Sequence, residues 1–329
     1  MKTTTLLSAL LITLLFVSCK GEGGQNGSEQ TKITAQSRMN HIVVVVENED
    51  WTGSIGDGIR NALAGPVLGL VNAEPKFSLN QVQPKSFSGF AKRSRNVLVI
   101  DKNKPEAFTI KKDVYARPQS VFYAAGDEEQ IIASLEENAQ RMHQLINSNE
   151  LTEKKRQIAN STLSTDKSLQ ENFGIQMNLP AIYETVRKEK DFLWIKRDAL
   201  NGHMNILVYD LPTGTIDKDS IQVESIIKMR DSIGKKYVLG RPEGSYMVTE
   251  NVFAPYVKED IIDNKPALEA RGRWDLKNGF MAGPFVNYII EDEVNDRQVV
   301  IEGFVFAPQK SKRDLLFELE AILRSTKVL

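Results

Sequence analysis

The chain has 329 residues, 41% of them hydrophobic and 26% charged, and its formal net charge is −1. This composition belongs to a folded globular body and excludes a disordered chain or a membrane protein with many spans. With near neutrality, no visible basic patch and no nucleic-acid reading motif, no nucleic-acid partner is expected.

The first element is a leader. Lys2, the apolar run from Leu6 to Val17 and the small Ser18 before Cys19 form the pattern of a lipoprotein signal peptide over residues 1–18. About a dozen apolar residues are too few to span a hydrocarbon layer of roughly 30 Å, which needs about 20. Cleavage before Cys19 would make it the lipidated N-terminus, and the membrane becomes the first expected partner. Each buried methylene contributes about 0.8 kcal/mol, so the two or three acyl chains of a mature lipoprotein hold firmly. Because Cys19 is the only cysteine, the body has no internal disulfide and no thiolate metal site. Residues 19–38, with Gly21, Gly23, Gly24 and Gly27 among polar neighbours, are expected to form a flexible tether.

A first α/β module is expected over residues 39–148. The β-branched run His41 to Val46 predicts a strand covered on both faces, and Gly53 to Ala64 predicts a short helix ending at Gly65-Pro66. Further strands are predicted at Asn96 to Asp101 and Gln119 to Ala124. Gly126-Asp127 then opens a helix with Ile131, Leu135, Ala139, Met142 and Leu145 along one face. The polar stretch 149–172 predicts a solvated helical connector.

A C-terminal α+β module is expected over residues 173–329, with strands at Phe192 to Lys196 and Met204 to Tyr209 and a helix from Val223 to Tyr237. Strands at Ala267 to Trp274, Phe285 to Glu291 and Gln298 to Phe306 follow, the last two joined as a hairpin across Asn295-Asp296. Leu315, Leu316, Leu319, Ile322 and Leu323 mark a closing amphipathic helix over Lys312 to Ser325. The fold class is therefore α+β: two α/β modules, the second a mainly antiparallel sheet packed with helices like an α-β-α sandwich.

Candidate chemistry is sparse. Gly53, Gly56 and Gly58 follow a strand and open a helix, but their spacing matches neither dinucleotide nor phosphate-loop patterns, and Glu47, Glu49 and Asp50 would repel a phosphate. Neither these carboxylates with Asp57 nor His41, His143 and His203 have metal-ligand spacing, so no metal or cofactor is expected. Ser245, in Gly244-Ser245-Tyr246, lacks the frame of a nucleophile elbow and is expected in a turn. Strand alternation puts Glu269, Arg271 and Arg273 on one face of the strand at 267–274, with Glu302 in a neighbouring strand expected to join them. Guanidinium forks beside a glutamate suit a ligand carboxylate or phosphate, whereas the simpler reading is a cross-strand ion-pair network. Trp51, in a loop after the first strand, is expected to be exposed and to suit a partner interface.

Several strings carry a family resemblance: Trp51–Arg60, Arg95–Val99, Lys111–Gln119, Glu243–Met247, Arg271–Trp274, Met281–Val286 and Glu302–Val305. Together, from about residue 40 onward, they resemble a Bacteroidota-type lipoprotein family catalogued as domain-of-unknown-function family 4837. The second module is also similar in element order to PsbP and Mog1-like α-β-α sandwiches, a likeness of fold only. The resemblance implies a cell-envelope lipoprotein, with the outer membrane as the expected site, and brings no activity with it. The expected function is a noncatalytic binding or assembly module taking an envelope protein or a small anionic ligand. The alternatives are a hydrolase or transferase using the Arg/Glu face, and a small-ligand carrier.

Overall fold

β-branched side chains pack well on a pleated surface that is buried from both sides, and the valine-rich run from His41 forms such a strand. In the computed structural model, which describes residues 33–70, 74–102, 104–217 and 223–329, it is β1 (His41–Val45). Cys19, the leader and the first part of the tether lie outside the described residues. The chain continues through α1 (Asn48–Thr52), α2 (Ser54–Leu63), β2 (Ser78–Val82), α3 (Gly89–Lys92), β3 (Asn96–Asp101), β4 (Ala107–Lys112) and β5 (Ser120–Ala125). The sheet order is β2-β1-β3-β5-β4, parallel except for β4. Ile42, Val44, Leu98 and Phe122 point to the side covered by α2 and α4 (Glu128–Ala159). Val43, Val45, Val97 and Val121 point to the other, beneath Phe87 and Ala91.

The glycines after β1 serve packing. A Cβ on Gly56 would stand 1.9 Å from the Trp51 carbonyl oxygen, and one on Gly58 would press on Ile132 of α4 at 3.3 Å. Helix α4 begins with a complete capping box: the Asp127 carboxylate accepts from Gln130 N at 2.9 Å, and the Gln130 side chain accepts from Asp127 N at 2.9 Å. Replacing Asp127 by alanine is expected to cost about 1 kcal/mol in urea unfolding, since an orphan N–H loses its acceptor.

Helix α4 runs unbroken for 32 residues to Ala159, well past the expected module end at 148. The polar run predicted to be solvated contains a fully buried carboxylate. Glu150 accepts from Arg95 Nε at 2.9 Å, Asn96 Nδ2 at 2.8 Å and Asn40 N at 2.9 Å. Further on, Ile158 enters the core of the second module, and Lys154 bonds Glu318 at 2.9 Å.

The remaining elements are α5 (Ser168–Phe173), β6 (Ile175–Gln176), β7 (Glu184–Lys188), β8 (Phe192–Ala199), β9 (Gly202–Pro212), α6 (Val223–Tyr237), β10 (Tyr246–Thr249), β11 (Tyr256–Ile262), β12 (Lys265–Lys277), β13 (Ala282–Asp292), β14 (Arg297–Phe306), α7 (Arg313–Leu323) and β15 (Lys327–Val328). Eight of these strands form an antiparallel sheet ordered β10-β12-β13-β14-β9-β8-β7, with β11 also paired to β12. The β13–β14 hairpin turns where expected, with Asp296 in the left-handed region at φ 50°. Helix α6 covers one face through Ile226 and Met229. Helix α7 covers the other through Leu316, Leu319 and Leu323, approaching closely at Gly303, where a Cβ would lie 3.0 Å from that of Leu319. The fold is thus α+β, a mainly parallel module followed by an antiparallel sheet between helices. Both sheets lie within one compact unit, Ile33–Leu329. Among the described residues no helix is long and apolar enough to cross a membrane.

Candidate functional site

A cleft of about 740 Å³ lies along the seam of the two sheets. One wall comes from α2 and α4, the other from β11, β12 and α7. The seam is held by side chains that reach across it. Glu74 accepts from the backbone N–H of Lys312 at 2.8 Å and of Arg313 at 2.9 Å, supplying a carboxylate to the N-terminus of α7, where the orphan donors and helix dipole favour one. Arg313 returns across the seam to the Pro75 carbonyl and Ser78 Oγ, both at 3.0 Å.

Helix α4 contributes a polar stripe. Gln140, His143, Gln144 and Asn147 line the cleft at i, i+3, i+4 and i+7, the spacing that places side chains on one helix face. His143 Nε2 lies 2.6 Å from the Ala62 carbonyl, so this nitrogen is the donor, and Phe77 meets the ring edge-on at 5.4 Å. Burial pushes the His143 imidazole below its usual range, with the bond to Ala62 opposing the shift. The lining also holds Phe77, Leu316 and Phe317, and its four Lys/Arg residues outnumber its two carboxylates.

The predicted arginine face forms part of the opposite wall. The β12–β13 register confirms that Glu269, Arg271 and Arg273 share one side of the sheet, and Glu269 and Arg271 line the cleft. Their charges are already matched. Glu269 receives Arg271 Nε at 2.6 Å, Arg324 Nη2 at 2.9 Å and the Tyr288 hydroxyl at 3.1 Å, with Lys258 Nζ at 3.7 Å. Arg271 Nη2 reaches Glu320 at 2.8 Å, and Arg324 also pairs with Asp260. Three cations thus face three carboxylates. Burial alone would raise the Glu269 carboxyl, but Arg271, Lys258 and Arg324 outweigh it and hold it at about 2. Arg273 stands apart: it is half-buried and outside the cleft, with its Nε lacking a hydrogen-bond partner among the described residues.

Glu302 does not join this group. The register pairs Glu302 with Asn287 and Asn287 with Ala270, so Glu302 shares the face opposite Glu269. There it binds Arg230 through two contacts, at 2.6 and 2.8 Å, and Asn287 Nδ2 at 2.9 Å. Trp51 also departs from expectation. It sits on helix α1, half-buried against the first core, with the Arg60 guanidinium 4.9 Å from its ring centroid and bonded to its carbonyl. Ser245 is buried in a turn, its hydroxyl donating to the Pro242 carbonyl at 2.5 Å. Cys19 lies outside the described residues.

Sequence reasoning missed Glu320, Arg324, Arg230 and the polar stripe of α4. The stripe had a readable signal in its helical spacing, as did Glu320 and Arg324, which pair at i,i+4; the partners of these two on β12 and of Arg230 on β14 lie 49 or more positions away and are met only when the helices pack on the sheet.

Residues 162–325 match the family model described as Domain of unknown function (DUF4837). That segment belongs to the DUF4837 family. Residues 35–159 match a different model, Domain of unknown function (DUF8532). The strings at Trp51–Arg60, Arg95–Val99 and Lys111–Gln119 therefore fall in the second match, outside the DUF4837 segment. No curated protein matches the chain. The DUF4837 segment supplies β11, β12 and α7 to the cleft, and the preceding segment supplies α2 and α4.

Proposed function

We propose that this is a noncatalytic binding protein of the cell envelope, anchored through lipid on Cys19, with a small acidic amphiphile as the ligand of the cleft. The observation carrying the binding reading is the lining. Amides from α4, the Lys76 ammonium and the apolar surface of Phe77, Leu316 and Phe317 suit a molecule with one anionic and one apolar part. The alternative of a hydrolase or transferase on the Arg/Glu face requires Glu269 or Glu302 to move a proton. A Glu269 carboxyl held at about 2 has no proton to give at neutral pH and is a weak base, and Glu302 is committed to Arg230 on the far face.

Two experiments test the proposal. Replacing Cys19 by alanine should abolish incorporation of labelled fatty acid; labelled variant protein would refute the anchor. Separately, the full-length protein is isolated from its own membranes and its bound small molecules are identified by mass spectrometry, alongside Lys76→Glu and Gln144→Trp variants. An acidic amphiphile that accompanies the parent protein and falls at least about tenfold in both variants, a loss of about 1.4 kcal/mol, is the expected result. Equal recovery from all three would sink the cleft as its site.

A further inference from the structure

A second surface lies where the tether enters the body. Ala35 N donates to the Arg117 carbonyl at 2.9 Å, Arg117 N to the Ile33 carbonyl at 2.9 Å, and Gln36 N to the Arg93 carbonyl at 2.7 Å. The first described residues thus run between Arg93 and Arg117. Beside them, Lys92 Nζ stands 5.7 Å from the Phe87 ring and 5.4 Å from the Tyr115 ring, and these two rings meet edge-on at 5.3 Å. Phe90 is 83% exposed, with the Arg93 guanidinium 5.7 Å from its ring centroid. From Gln83 to Arg95 the chain carries Lys85, Lys92, Arg93 and Arg95 and no acidic residue. Arg95 is buried on Glu150, leaving Lys85, Lys92 and Arg93 toward the surface. Lys111 adds to this side, since it pairs in register with Val121, whose side chain faces Phe87. The sequence suggested no basic patch; folding assembles one from two separated segments.

We infer that this tether-bearing face docks on the anionic phospholipid headgroups of the membrane that holds the protein, with Phe90 entering the interface. The inference rests on the lipid anchor proposed above. Ile33 follows Cys19 by 14 positions. That stretch spans at most about 50 Å fully drawn out. A surface at the entry point of so short a tether is presented to the bilayer at high effective concentration, so weak contacts suffice. Each basic side chain near an anionic leaflet strengthens attachment about fivefold, and an exposed aromatic ring adds burial at the headgroup level.

The lone cysteine makes the test clean. In full-length protein Phe90→Cys, and separately Leu200→Cys at a 75% exposed position of the other module, a polarity-sensitive dye is attached to the free thiol. One dye per chain means Cys19 is blocked by lipid; two would mean that the anchor reading has failed, whatever the docking result. The proteins are then reconstituted in phosphatidylcholine vesicles with and without phosphatidylglycerol. The dye at position 90 is expected to shift to the blue only when phosphatidylglycerol is present, and to lose the shift near 1 M salt, where screening acts within about 3 Å. It should also lose the shift when Lys85→Glu and Lys111→Glu are added, while the dye at position 200 stays unshifted throughout. With one dye per chain, an unshifted spectrum at position 90 in phosphatidylglycerol vesicles overturns docking and leaves the anchor standing. A shift seen only in native membranes also overturns it, and assigns the face to an envelope protein.

Discussion

Replacing Arg230 by alanine is expected to destabilise the protein by about 3–5 kcal/mol in urea unfolding, because it strands a buried carboxylate. Arg230 is 1% exposed, and it holds Glu302, also 1% exposed, through two charge-assisted bonds at 2.6 and 2.8 Å. Its third nitrogen donates to Thr249 Oγ1 at 2.6 Å, and the guanidinium lies 3.4 Å from the centroid of the Phe285 ring. Truncation leaves Glu302 with Asn287 as its remaining side-chain partner. Helix α6 also loses the contact that joins it at once to β14 and β10. The pair itself need not be a net source of stability, since its attraction is set against the desolvation of two charges. Arg230→Met combined with Glu302→Leu is therefore expected to recover most of the loss. A double-mutant cycle in which the paired variant is as unstable as Arg230→Ala would show that packing and the Thr249 bond, not the stranded charge, set the cost. Since the pair lies on the face away from the cleft, binding there should fall only as the folded fraction falls.

Local pattern was readable where a single element decides the outcome. Helix α6 spans Val223–Tyr237 as its periodicity predicts, and alternation along β12 puts Glu269, Arg271 and Arg273 on one face, though Arg273 stays outside the cleft. The edge strands were not readable. β7 is Glu-Thr-Val-Arg-Lys and β11 carries Lys258, Glu259 and Asp260, charges that suit a sheet edge and dilute the apolar alternation by which a strand is recognised. The face on which Glu302 lies depends on the β13–β14 register. A slip of one residue would have placed it beside Tyr288 and Glu269, and nothing within one strand fixes that choice. Charge patterning misled at Glu150, where a polar helix run contains one fully buried carboxylate matched by Arg95 far along the chain. The cleft was legible only in fragments, because the lining residues of its two walls are separated by more than 100 positions, from Asn147 to Tyr256.

Glu269 should impose an acid limb on stability that its glutamine variant lacks. Its carboxyl stands at about 2 in the folded protein, because Arg271, Lys258 and Arg324 overcome the burial that would otherwise raise it. A free glutamate titrates near 4.3, so the unfolded chain takes up the proton first as pH falls. The ionised form is favoured by folding, and its contribution, about 3 kcal/mol, is therefore complete above roughly pH 5 and is lost as pH drops toward 2. In Glu269→Gln the side chain keeps its size but no longer titrates, and Arg271 is left with Glu320 as its ion-pair partner. At pH 7 the variant is expected to be less stable by about 3 kcal/mol, the cost of removing one partner from a buried charge network. The gap to the parent should narrow between pH 5 and 2, as the parent forfeits what the variant never had. Urea midpoints at pH 7, 5, 4 and 3 measure it. Parallel curves for the two proteins would mean that Glu269 carries no proton-linked stability and that Glu320 and Asp260 alone hold the two arginines, while convergence would make the ion-pair wall of the cleft a structural element whose charges are spent on folding.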